Sequence, residues 1–299
     1  VLIDDKIVHR ADTDTAIRFA DADTITAETG GAERLRIASN GKILIGSDTI
    51  RNIGGASALG QFQIEGTTGN TSSVSLINNQ NNAGGMAVLR FAKTRGTSDG
   101  AVTTVADGDS LGAITFTGAD GTDLLNSTAQ IRAIVNGTVA GNTIPTDILF
   151  ETSATDGSSI SEKVRIASDG DITISPDGDP IVTITGSGHP QVNLTSTSGT
   201  DHCSVNFGDS DDNNAGMIQY TNSSNIMQFH TNGSERARLL DTGRFLVGTT
   251  TSSQQGADGY IQAPVAGTSL GAWGSHAGST GNRKHMRFSN PNGVVGSIN

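Results

Sequence analysis

The chain has 299 residues, a formal net charge of −11 and one cysteine, Cys203. That charge disfavours nucleic acid and anionic membrane as partners, and a lone thiol excludes an intrachain disulfide framework. Only 34% of residues are hydrophobic, 39 are glycine and one is tryptophan, so short apolar runs between Gly, Asn, Asp and Ser corners predict an all-β chain with a thin core.

In chain order, residues 1–50 read as a first β-module. It carries strands at Thr15–Phe19 and Thr24–Glu28 and closes in a hairpin from Glu33 to Gly46. Residues 51–60, with Gly54-Gly55, read as a linker. A second module, 61–180, has strand patterns at Phe62–Glu65, Val74–Asn78, Ala87–Lys93, Leu111–Thr117, Ala129–Val135 and Asp147–Glu151. A third, 181–255, has them at Ile181–Thr185, Val192–Thr195, Ser204–Phe207, Met217–Tyr220 and Met227–Thr231. Residues 256–299 form a C-terminal module. No run approaches the 18 or so apolar residues of a membrane-spanning helix. The opening Val1-Leu2-Ile3 shows no secretory leader and reads as the interior of a longer protein.

The hairpin that closes each module recurs. Glu33-Arg34-Leu35-Arg36-Ile37-Ala38-Ser39-Asn40-Gly41 returns as Glu162-Lys163-Val164-Arg165-Ile166-Ala167-Ser168-Asp169-Gly170. It returns again as Glu235-Arg236-Ala237-Arg238-Leu239-Leu240-Asp241-Thr242-Gly243, and an apolar strand follows each copy. A two-residue turn at Asn40-Gly41 would set Ile43 opposite Ala38 and mix the faces. A three-residue loop, Ser39-Asn40-Gly41, sets Ile37 opposite Ile43 and Leu35 opposite Ile45, giving one apolar face. That loop is a type I turn ending in a left-handed residue, which requires glycine: Gly41, Gly170 and Gly243. The basic pairs Arg34/Arg36, Lys163/Arg165 and Arg236/Arg238 then fall on the opposite face, solvated or paired with carboxylates of adjacent chains. Modules too lean to bury their own faces stack on neighbours or on copies of themselves. The expectation is an elongated string of β-modules in an intertwined homotrimer.

These motifs, with Asp14–Phe19, Asp23–Gly31, Leu89–Gly96, Gly108–Gly112 and Asn206–Asp212, resemble tail-fibre and tail-spike proteins of tailed bacteriophages, marine and cyanophage versions above all. The closing Phe288–Ile298 is similar to the stretch that precedes the intramolecular chaperone of such fibres, and the sequence stops before any chaperone residue. The resemblance implies a homotrimeric virion fibre in the tail, partnered by other tail or baseplate proteins and by a host-surface glycan.

Candidate chemistry is sparse. The six histidines lack zinc spacing, and His202-Cys203 reads as packed. His230, in a strand pattern, could face a three-fold axis. The acidic groups Asp169/Asp171, Asp177/Asp179 and Asp209/Asp211/Asp212 miss the calcium-loop pattern and read as corners. Neither cofactor nor metal is expected. Trp273, with His276 close by in a small-residue loop, is the candidate receptor contact. The sequence reads as a non-enzymatic structural protein for host attachment. Its rivals are a polysaccharide-degrading spike, which needs two carboxyl groups about 5–9.5 Å apart, a head-fibre or baseplate connector, and a bacterial adhesin.

Overall fold

The computed structural model describes residues 3–55, 60–154, 159–175 and 180–250, and the backbone of strands at 259–261, 286–290 and 293–298. The chain divides into two compact units, Val1–Val182 and Thr183–Asn299. Both are all-β, and the helical content among the described residues is a single 3-10 turn at Gly69–Thr71.

The first sheet has six strands in chain order: β1 (Lys6–His9), β2 (Asp12–Asp21), β3 (Thr24–Thr29), β4 (Ala32–Ile37), β5 (Ile43–Ile45) and β6 (Phe62–Ile64). Neighbours are antiparallel except β6, which returns after a crossover to lie parallel on β5. The second sheet is a five-stranded meander of β7 (Ser110–Thr117), β8 (Ser127–Val135), β9 (Thr146–Ser153), β10 (Ile160–Ile166) and β11 (Ile172–Ile174). The third repeats the first with β12 (His202–Phe207), β13 (Gly216–Thr221), β14 (Ile226–Thr231), β15 (Ser234–Leu239), β16 (Phe245–Val247) and β17 (Gly259–Ile261), and β17 again lies parallel on β16. A separate hairpin joins β18 (Met286–Asn290) to β19 (Gly293–Ile298).

The repeat extends to single backbone angles. Positive φ occurs at Asp23, Gly30, Gly31, Gly41 and Gly46 in the first sheet and at Asn225, Asn232, Gly233, Gly243 and Gly248 in the third. Each hairpin corner is the three-residue loop: Gly41 N donates to Ala38 O and Ala38 N to Lys42 O, with the same pair of bonds around Gly170 and Gly243. The register sets Leu35 opposite Ile45, Arg36 opposite Leu44 and Ile37 opposite Ile43.

Four stretches with strand patterning are in no strand: Val74–Asn78, Ala87–Lys93, Ile181–Thr185 and Val192–Thr195. Alternation makes an extended chain amphipathic, but a strand also needs a neighbour for its backbone groups, and among the described residues no backbone–backbone bond joins these stretches to another strand. Ala87–Lys93 comes nearest. Phe91 lies so close to β7 that a Cβ on Gly112 would stand 2.5 Å from the Phe91 Cβ, much as Phe207 of β12 faces Gly216 of β13.

Candidate functional site

The site is a pair of opposed sheet faces, and the hairpin motif determines both. In a regular strand, residues three apart point to opposite faces. The structure instead holds a β-bulge in each copy: Glu28 pairs with Glu33 and Ala27 with Leu35, leaving Arg34 as the extra residue. Lys163 and Arg236 are the extra residues in the other copies. The bulge turns Glu33 onto the face of Arg36, and Arg36 Nη2 meets Glu33 Oε2 at 2.7 Å. Arg165 pairs with Glu162 at 2.5 Å and Arg238 with Glu235. The bulged Arg34 and Arg236 donate instead to Thr29 and Thr231 hydroxyls at 3.0 and 3.1 Å. The expectation that the basic residues lie solvated is therefore corrected for Arg36, Arg165 and Arg238, each of which finds a glutamate of its own strand because the bulge places it there.

This polar face is the buried one. One ladder runs Lys6, Arg18, Thr26, Arg36, Leu44, Gln63 across the first sheet. Within it Thr26 is 0% and Leu44 1% exposed, and Leu246 at the same place in the third sheet is 1% exposed. Arginine stems beside these leucines exclude water while their charged ends find carboxylates. Gln63 Nε2 donates to Arg51 O, and Arg51 pairs with Glu65, so the connection after β5 folds over this face.

In the second sheet the polar face becomes a closed network. Asp147 is fully buried and accepts from Arg165 Nη1 and Asn136 Nδ2, both at 2.6 Å, and from Ser168 N at 3.0 Å. Glu151 accepts from Arg132 and Gln130. Burial pushes both carboxyls up, but these bonds outweigh it and hold both below the ordinary carboxylate range. Glu235 behaves alike: burial is opposed by Arg238 and Gln228, and its carboxyl ends lower. Arg95 and the Ala106 amide hold Asp109 at about 2. Carboxylates saturated by cations and amides stay ionised, which suits a scaffold and not a proton donor. Asp14, raised by its neighbour Asp12, stands on an exposed strand.

The apolar face is the open one. Its main ladder runs Ile7, Ile17, Ala27, Leu35, Ile45, Ile64 in the first sheet and Ile114, Ile131, Phe150, Val164, Ile174 in the second. In the third sheet the same register runs Val205, Ile218, Phe229, Ala237, Val247. Ile17 is 50%, Ile114 46% and Val205 47% exposed. Full burial of such a side chain contributes about 1.5–3 kcal/mol, so each half-covered one leaves roughly 1 kcal/mol unrealised. Apolar ladders with members exposed to this degree mark an interaction face.

The other candidates are placed as follows. Gly41, Gly170 and Gly243 have φ of +79°, +97° and +79°. Trp273, His276 and Asp177/Asp179 lie outside the described residues. Asp209 Oδ1 accepts from the Asp211 and Asp212 amides, which is corner chemistry. Cys203 is half-buried on β12. His230 sits on the polar face opposite Glu235, its Nε2 buried without a hydrogen-bond partner, and the described residues hold no group of three or more metal-ligating side chains. A cleft of about 420 Å³ is lined by Glu33, Gly46, Ser47, Asp48, Glu65, Gly66 and Thr67. Among the described residues no helix is long and apolar enough to cross a membrane. The Glu–Arg pairing went unread in the sequence, although a signal existed: an acidic residue three before arginine in all three copies.

Neither a protein-family profile nor a curated protein sequence matches the chain. Solved structures do. The chain is similar to a phage tail-fibre domain. The carboxy-terminal domain of the bacteriophage T5 L-shaped tail fibre with its intramolecular chaperone domain aligns at 14% identity and a TM-score of 0.49, over 67% of this chain and 57% of that one. The same fibre's carboxy-terminal domain alone aligns at 12% identity and a TM-score of 0.43, over 61% of this chain and 94% of that one. The chain thus spans little more than half the length of the longer T5 structure.

Proposed function

We propose that the chain is a structural segment of a bacteriophage tail fibre or spike. It works as a homotrimer in the virion tail, joined to other tail or baseplate proteins and presenting weak, repeated contacts to a host-surface glycan. The observation that carries this reading is the inversion of the sheets: ion-paired faces are buried and apolar ladders stand open in all three modules. Apolar faces of that extent need cover, and identical chains supply identical ladders. Three copies of one weak glycan site then gain strength from effective concentration, without one deep pocket. The resemblance of the hairpin motifs to tail-fibre sequences points the same way. Paired, ionised carboxylates favour adhesion over glycoside hydrolysis.

Native mass measurement across a dilution series tests the assembly. A trimer is expected at micromolar concentration, and a compact, stable monomer at nanomolar concentration overturns the proposal. Incubation with host polysaccharide is expected to release no new reducing ends.

A further inference from the structure

The three modules differ in one element. Sheets one and three each have a sixth strand, β6 or β17, laid parallel on the edge left by β5 or β16. Among the described residues the second sheet stops at β11, which pairs with β10 alone. Yet the sequence that follows β11 carries the pattern of that strand. Val182-Thr183-Ile184-Thr185-Gly186 matches the apolar–polar–apolar–polar–Gly order of Phe62-Gln63-Ile64-Glu65-Gly66. It belongs to no strand, and Ile181, Val182 and Ile184 are 82%, 67% and 50% exposed.

Two features stop this strand from closing on its own sheet. A parallel return needs a crossover of about a dozen residues. Residues 46–61 supply sixteen in module one and 248–258 eleven in module three, but 175–181 supply seven. Next, both six-stranded sheets leave their edge through a glycine at positive φ, Gly46 at +79° and Gly248 at +72°. The equivalent residue in module two is Ser175: its N bonds Lys163 O as Gly46 N bonds Arg34 O, but Ser175 is not among the residues at positive φ. Pro176 follows it and biases it to the extended region.

We propose that the sixth strand of the second sheet is Val182–Ile184 of a second copy of this chain, exchanged onto β11. The inference rests on the self-association proposed above. The other two sheets give its register: Val182 opposite Ile172, Thr183 opposite Thr173 and Ile184 opposite Ile174, parallel. Ile184 then completes the apolar ladder through Ile174, as Ile64 does through Ile45. Each copy gives one strand and receives one, a head-to-tail contact that closes into a ring when the rotation permits. Backbone bonds supply the attraction, and the apolar–polar–apolar order fixes the face.

Cysteine pairing tests it. In a Cys203→Ser background, Thr173→Cys and Thr183→Cys are placed in separate, differently tagged chains that are co-expressed and oxidised. The expected product is a disulfide carrying both tags, at least tenfold above same-tag products, with Ile172→Cys and Val182→Cys as a second pair if the first folds poorly. Replacing residues 175–181 by residues 46–61 is expected to move the link inside one chain, read as a monomeric band when both cysteines share a chain. Absence of the mixed link while native mass still reports an oligomer overturns the exchange and leaves self-association standing. An intrachain link in the unreplaced chain also overturns it. A monomeric native mass overturns the self-association itself.

Discussion

Arg165 Nη1 lies 2.6 Å from Asp147 Oδ2, and Asp147 is wholly buried. The contact joins β9 to β10 and ties the second hairpin motif to the strand before it. Removing one member of a buried pair strands the other's charge, at a cost of about 3–5 kcal/mol. Arg165→Met is expected to lower the stability of the second module by about 3 kcal/mol, near the low end because Arg165 is partly exposed. Asp147→Asn keeps an acceptor and is expected to cost less. Urea unfolding of both variants beside the parent gives the order.

Acid is expected to act through the same carboxylates. Asp147, Glu151 and Glu235 are lowered in the fold, so their contribution is complete above their unfolded values of 3.8 and 4.5 and is lost as pH falls through their folded values. Asp109, held at about 2, extends the window downward. Stability is therefore expected to be flat from neutral pH to about 5 and to fall between about pH 4.5 and 2. Denaturant midpoints across that range check the prediction; a loss starting above pH 6 would contradict it.

The corner glycines are expected to resist substitution by an amount set by backbone strain alone. Nothing lies within 4 Å of a Cβ built on Gly170 or Gly243, so alanine there meets no clash and must only adopt positive φ. That costs about 1–2 kcal/mol. Gly243→Asn is expected to cost less, because asparagine tolerates the left-handed region. Thermal midpoints of the alanine and asparagine variants separate strain from packing.

Charge on the open face is expected to leave each sheet folded and to disrupt assembly. Ile17→Asp and Val205→Asp alter half-exposed ladder positions, so each leaves the buried leucines of the opposite face untouched. Sedimentation is expected to shift from oligomer to monomer, with the far-ultraviolet circular dichroism of β-structure retained. An unchanged oligomer in both variants would mean that these ladders are not the contact.

The hairpin corners were legible because their chemistry is local. Only a three-residue loop gives Leu35, Ile37, Ile43 and Ile45 one face, and only glycine takes its last position without strain. The bulge was not legible from alternation, since Glu33-Arg34-Leu35 also satisfies a regular strand. It became visible once Glu28 was seen paired with Glu33 while Ala27 kept Leu35. Val74–Asn78 and Ile181–Thr185 show the opposite limit: their patterning promises strands, but pairing depends on an edge that the chain must reach.

The sequence by itself determined the all-β class, the three related hairpins and the two-faced character of each sheet, because turn residues and period-two alternation act over a few neighbouring positions. The tertiary structure decided which face is covered. Leu44 is buried and Ile17 is open because a bulge brings glutamate to arginine across one face, and no local pattern of apolar residues encodes that choice.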